Sequence, residues 1–253
     1  MSTYNHSRYG SKPFSRWSGS FIQDLAVVES ILRNHHQFLD DLHAGTGLQK
    51  TIRAMLLSSA AFLAVYGAVL GSTHSLWQAL SSAIKLPILF LITLIICIPA
   101  LYIFSILFGS KQRLNQIIAI VLSAITVTAV LLLSLAPITF FFMLTTNDYQ
   151  FFKLLNVLFF VIAGIVGMVY LTRGMRAITA SEDKGHKQSR ALTLVLYVWI
   201  FIYAFVGSQM AWTLRPFVGF PGARFELIRE LGGNFYADIF ASIGEILGLV
   251  VVM

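Results

Sequence analysis

Charge is scarce in this chain of 253 residues: Asp, Glu, Lys and Arg together make up only 11% of it, against roughly 25% in an ordinary soluble domain. So thin a charge cover excludes a soluble enzyme. Cysteine is scarcer still. Cys97 stands alone inside an apolar run, which excludes an intrachain disulfide framework or a thiolate metal site and leaves no basis for redox chemistry. The first twenty residues lack the apolar h-region of a cleavable secretory signal, and their Ser, Tyr, Arg and Gly content predicts a retained, disordered leader over 1–19. No Ser-His-Asp arrangement, phosphate-binding loop, dinucleotide fingerprint or zinc-protease motif occurs in the chain. The expectation is therefore a protein with no catalytic residues, no metal and no cofactor. A lipid-modifying site built from Arg215, Arg224, Glu226, Arg229, Glu230 and Asn234 is the remaining enzymatic alternative, although such charges more simply anchor a tail to headgroups.

Apolar residues are what the chain has in abundance, at 57% of the sequence with a mean hydropathy of +0.77. Several apolar runs approach the ~20 residues that a bilayer crossing needs. The predicted class is all-α, a polytopic membrane helix bundle whose first partner is the lipid bilayer. The formal charge of +7 then reports topology, and nucleic acid is not an expected partner.

Ser20 to Gly45 reads as an amphipathic helix ahead of the membrane domain, giving a unit over 20–45. Phe21, Leu25, Val28, Leu32, Leu39 and Leu42 follow 4–3 spacing, with His35 the one seam position that is not apolar. Ser20 with Gln23 makes a capping-box start and Gly45 a stop. Asp24, Glu29, Arg33, Asp40 and Asp41 sum to −3, the wrong sign for simple adsorption on an anionic leaflet. The seam Leu25, Val28, Leu32, His35, Leu39 and Leu42 is thus a candidate protein-docking surface. It would pack on the chain's own membrane domain or pair with a second copy in a coiled coil. Of the cluster His35, His36, Asp40 and His43, His36 lies one turn from Asp40 and two turns from His43 on one face, but no second ligand-bearing segment completes a metal shell.

Five spans are predicted: Arg53 to Ser72, Leu86 to Phe108, Gln116 to Leu144, Leu154 to Thr172 and Ala191 to Trp212, which define a domain over 53–212. The third is long enough to need tilt or a kink at Pro137. The longest loop, Arg173 to Arg190, reads as a solvated connector around Ser181-Glu182-Asp183-Lys184-Gly185. With alternating spans, thirteen Lys and Arg fall on the amino-terminal side and five (Lys85, Lys153, Arg215, Arg224 and Arg229) on the other, which together make the eighteen in the chain. The positive-inside rule places the amino terminus in the cytoplasm and the tail after Trp212 outside it.

Inside those spans titratable side chains are almost absent, which argues against an ion-coupled transporter. A passive pore could use Ser58, Ser59, Ser123, Thr126, Thr128 and Ser134 with backbone freed near Pro87, Pro99 and Pro137, but such hydroxyls more often bond within or between helices. Ala60, Ala64, Gly67 and Gly71 in the first span, and Ala163 and Gly167 in the fourth, have small-residue spacing suited to close helix packing, within the bundle or between copies. Trp77, Trp199 and Trp212 suit an interfacial belt. In the tail, 213–253, the Leu214–Gly222 stretch ends the helix and a second amphipathic segment begins near Asn234, with Asp238, Ser242 and Glu245 opposite its apolar face. It lies along the far interface or crosses as a sixth span. In the second case Asp238 and Glu245 become candidate pore acids.

Leu86-Pro87 opening an apolar span that ends Leu107-Phe108-Gly109-Ser110-Lys111-Gln112-Arg113-Leu114-Asn115-Gln116, ahead of a long third span with an internal proline, resembles the Yip family of five-pass membrane proteins, particularly its bacterial members. The resemblance covers roughly Arg53 to Trp212. It implies five crossings, a cytoplasmic amino terminus and no catalytic residues. Eukaryotic members of that family interact with Rab-type GTPases and help shape or sort membranes, but their cytoplasmic signature is not visible in this chain. The functional expectation is a non-catalytic membrane organiser, scaffold or accessory subunit in a bacterial plasma membrane, present as a homo-oligomer or as part of a larger complex. An oligomeric, uncoupled channel or small-solute permease is the alternative.

Overall fold

The computed structural model describes residues 27–31, 33, 38, 47–73, 75–107, 112–146, 148–180, 186–218, 227 and 233–247. Every regular element among them is an α-helix. In chain order these are α1 (Leu48–Gly71), α2 (Leu76–Leu107), α3 (Leu114–Thr145), α4 (Tyr149–Ala180), α5 (His186–Thr213) and α6 (Phe235–Ile246), preceded by a helical stretch at 27–31. The first five are long and apolar enough to cross a membrane. The leader, the Ser20/Gln23 start, the Gly45 stop and the His35, His36, Asp40, His43 cluster lie outside the described residues.

Local chemistry sets the helix starts. Gly47, at φ 71°, adopts the left-handed backbone that costs glycine least, and its carbonyl accepts the amides of Lys50 and Thr51. The Ser75 hydroxyl accepts the Gln78 amide at 3.2 Å and so caps α2. Asp148 Oδ1 accepts from Gln150 and Phe151 at the start of α4, and Asn234 Oδ1 from Ala237 at the start of α6. Pro87 and Pro99 lie within α2 and Pro137 within α3 without ending either helix, as bundle packing allows in membrane helices.

The helices extend beyond the predicted spans. α2 begins ten residues earlier than Leu86, so Lys85 is not a loop residue but lies within the helix. The apolar outer face at 76–84 is averaged with a polar inner one, and the hydropathy reading falls short there. The expected loop from Arg173 to Arg190 is mostly helix, α4 running to Ala180 and α5 starting at His186. Its Arg, Lys and Gln residues are good helix formers once outside the hydrocarbon.

α3 is the axis of the bundle, with 72% of its apolar window buried against 11% for α5. α1 lies along α2 and α3, α4 along α3, and α5 along α2. Two clusters fill the interior. Near the amino-terminal ends of α1 and α3, Met55, Leu94, Cys97, Leu101, Ile117 and Ile120 pack with Trp199. Toward the opposite, far end, Leu63, Leu70, Leu86, Leu132 and Phe159 surround Tyr66. Ile31 and Phe38 are buried in the first cluster, so these two side chains pack on the chain's own membrane domain.

Candidate functional site

The first turns of α2 are built inside out. Trp77, Leu80, Ile84 and Ile88 are exposed, while Gln78, Ser81, Ser82 and Lys85, spaced three and four apart so that they share one face, are buried. A water-facing helix has the reverse pattern. A helix whose outer solvent is hydrocarbon has this one.

Lys85 is only 7% exposed. Its ammonium donates to the carbonyls of Pro216, at 3.4 Å, and Leu227. Gln78 Nε2 donates to the same Pro216 carbonyl at 2.7 Å, and Ser82 Oγ to the Phe217 carbonyl at 2.6 Å. The tail thus returns over α2 after the cis Arg215–Pro216 bond and presents backbone oxygens to a row of donors. Arg215 stacks 3.6 Å over the Trp212 ring beside it. Ser81 Oγ is buried with no hydrogen-bond partner among the described residues. Among the described residues no carboxylate forms an ion pair with Lys85, and the partners described there are carbonyl dipoles set against a charge that is expensive to bury.

Gly67 and Gly71 allow this row to form. A Cβ on Gly67 would run into the Ser82 carbonyl and Ala83 Cα, and one on Gly71 into the Gln78 carbonyl and Ala79 Cα. Both glycines are used for contact within the chain. Gly167 likewise faces Thr128 and the Ala124 carbonyl of α3, and Ala163 is fully buried with its carbonyl 3.4 Å from Thr128 Oγ1. Ala60 and Ala64 are half-buried.

Nearby, three helices meet in a buried polar knot. Tyr66 Oη donates to Asn156 Oδ1 at 2.8 Å, Thr139 Oγ1 donates to the same oxygen at 3.2 Å, and Asn156 Nδ2 donates to the Phe152 carbonyl. The hydroxyls considered for a pore are largely engaged elsewhere. Ser59, Ser123, Thr126, Thr128 and Ser134 each bond a carbonyl of their own helix, whereas Ser58 Oγ is buried without a partner.

Asp238 and Glu245 turn toward α4: Asp238 pairs with Lys153 at 3.0 Å, and Gln150 Nε2 donates to Glu245 at 2.6 Å. Phe240, 73% exposed, with Ile243, Ile246 and Leu247 points outward, and Glu245 is exposed as well while Ser242 is buried. The 12 residues of α6 make about 18 Å of helix, short of the ~30 Å hydrocarbon core. Of the docking seam, Val28 is buried, and Leu25, Leu32, His35, Leu39 and Leu42 lie outside the described residues. Ile31 and Phe38, which the 4–3 seam omits, are buried too. They share a face with Val28 at offsets of three and ten, a register that the sequence permits equally well.

Trp77 is 70% exposed at the far end of α2, as a belt residue should be. Trp199 is not one: it is 2% exposed and donates its indole N–H to the Cys97 carbonyl at 2.7 Å. Its place between two helices is set by that bond, which hydropathy cannot register. No group of three or more metal-ligating side chains occurs among the described residues. Lys85 with Gln78, Ser81 and Ser82 is the grouping that sequence reasoning missed, although their 0, 3, 4, 7 spacing was available as a signal. Comparison with protein-family models, curated proteins and solved structures finds no match.

Proposed function

We propose that the chain, an integral membrane protein, is a non-catalytic membrane organiser or accessory subunit, with its amino terminus in the cytoplasm of a bacterial cell and its tail outside. Membership in the Yip family is part of the same proposal and rests on the motifs flanking the second span. The observation that carries it is the solid apolar cluster of Met55, Leu94, Cys97, Leu101, Ile117 and Ile120 across the amino-terminal half of the bundle. An apolar interior of this kind does not favour the passage of an ion. The hydroxyls most suited to a pore lining are bonded back to their own helices, which supports the same reading. The exposed apolar faces of α4 and α5, including Val161, Ile165, Val198 and Phe201, suit lateral contact with lipid or with other membrane helices.

The test is reconstitution into liposomes with ion flux measured beside the intact mass in mild detergent. The reading predicts flux no greater than that of empty vesicles, and an assembly heavier than the 28.1 kDa single chain. A robust ion leak that Glu245→Gln abolishes would favour a channel instead.

A further inference from the structure

We infer that the buried face of α2 carrying Gln78, Ser81, Ser82 and Lys85 is a binding site for a phosphate group, and that the tail carbonyls of Pro216, Phe217 and Leu227 hold that site as an internal substitute. Four donor side chains converge on one helix face, three of them already bonded to oxygens of the tail. These oxygens carry only partial charge. Lys85 brings a full positive charge into a site where it is 7% exposed, and no carboxylate among the described residues pairs with it. A buried cation of this kind is stabilised far better by an anion than by neutral dipoles. Ser81, also 7% exposed, supplies a second and independent sign: its hydroxyl is buried one helical turn from Lys85 without a partner among the described residues. A carbonyl has a single oxygen to offer, whereas a phosphate has several and can accept from more than one of these donors.

The tail occupies the place of the ligand, so binding exchanges tail carbonyls for phosphate oxygens. The displaced carbonyls can be met by water or headgroups at the bilayer surface. Access comes from the far side, where α2 begins and the tail crosses it. Two sources present this chemistry there, a lipid headgroup and free inorganic phosphate. The inference does not rest on the organiser reading, because a pore could carry the same site.

The full-length protein is held in dodecyl maltoside micelles, which carry no phosphate, and its thermal midpoint followed in two arms. One titrates inorganic phosphate against chloride at equal ionic strength, and the other adds phosphatidylglycerol to the micelles. A rise in midpoint with inorganic phosphate identifies the free ion, and a rise only with phosphatidylglycerol identifies the headgroup. Either supports the site provided that Lys85→Gln weakens the apparent affinity by about tenfold or more, the loss expected for a charge-assisted hydrogen bond. Ser81→Ala touches no tail contact and keeps the test decisive if Lys85→Gln does not fold; it should weaken affinity about fivefold, as loss of one neutral hydrogen bond implies. No rise in either arm overturns the inference. So does a rise of equal affinity in the wild type and Ser81→Ala.

Discussion

Gly67 and Gly71 bear the closest approach in the molecule's far half, because the atoms that a Cβ would meet are backbone atoms of α2 and cannot swing away. Gly67→Ala is therefore predicted to force α1 and α2 apart and to cost about 1–3 kcal/mol, the range for overpacking a filled core. Gly164 is the control. A Cβ there meets nothing within 4 Å, so Gly164→Ala should be neutral or stabilise by up to about 1 kcal/mol through helix propensity. Reversible unfolding in detergent mixtures, run on both variants, checks the pair. Two effects of equal size would contradict the packing described here. Tyr66→Phe removes the hydroxyl shared by α1, α3 and α4 and should cost about 1 kcal/mol in the same assay. At this scale small-residue spacing was legible in the sequence at Gly67, Gly71 and Gly167, but spacing names no partner. Whether such a row meets its own chain or a second copy depends on the neighbouring helix, and that is a property of the packed bundle.

At the scale of elements, the five long helices follow from their apolar runs, and the structure departs from that reading where a helix is apolar outside and polar inside. α2 begins before Leu86 for this reason. Averaging over a window cancels the two faces, whereas the three-and-four spacing of Gln78, Ser81, Ser82 and Lys85 preserves them. Residue type alone also misplaced Trp199, because an indole that serves at an interface serves equally as a buried donor between helices. The docking of α6 gives a direct prediction. Asp238→Lys sets two cations against each other at Lys153 and should raise hydrogen exchange over 235–246, and the double exchange Asp238→Lys with Lys153→Asp should lower it again. Equal exchange in all three proteins would show that the pair does not hold the helix.

For the whole molecule, the bundle packs around α3 on two apolar clusters, one in each half, and the tail is drawn over the buried polar row of α2 in the far half. The apolar runs made the number of candidate crossings legible, and five long apolar helices match it, whereas the Lys and Arg count only proposes which side each end faces. The seating of Ile31 and Phe38 was not legible, because two helix faces of similar apolar content compete until the surface beneath them is known. Five crossings require the two ends of the chain to lie on opposite sides of the membrane. The native thiol, Cys97, is buried, so a single added cysteine can be read almost without background.

The most direct measurement is therefore labelling of Lys50→Cys and Tyr236→Cys in intact cells with a membrane-impermeant maleimide. The account predicts that Tyr236→Cys is labelled from outside and Lys50→Cys only after the membrane is opened. Labelling of both from the same side would contradict it.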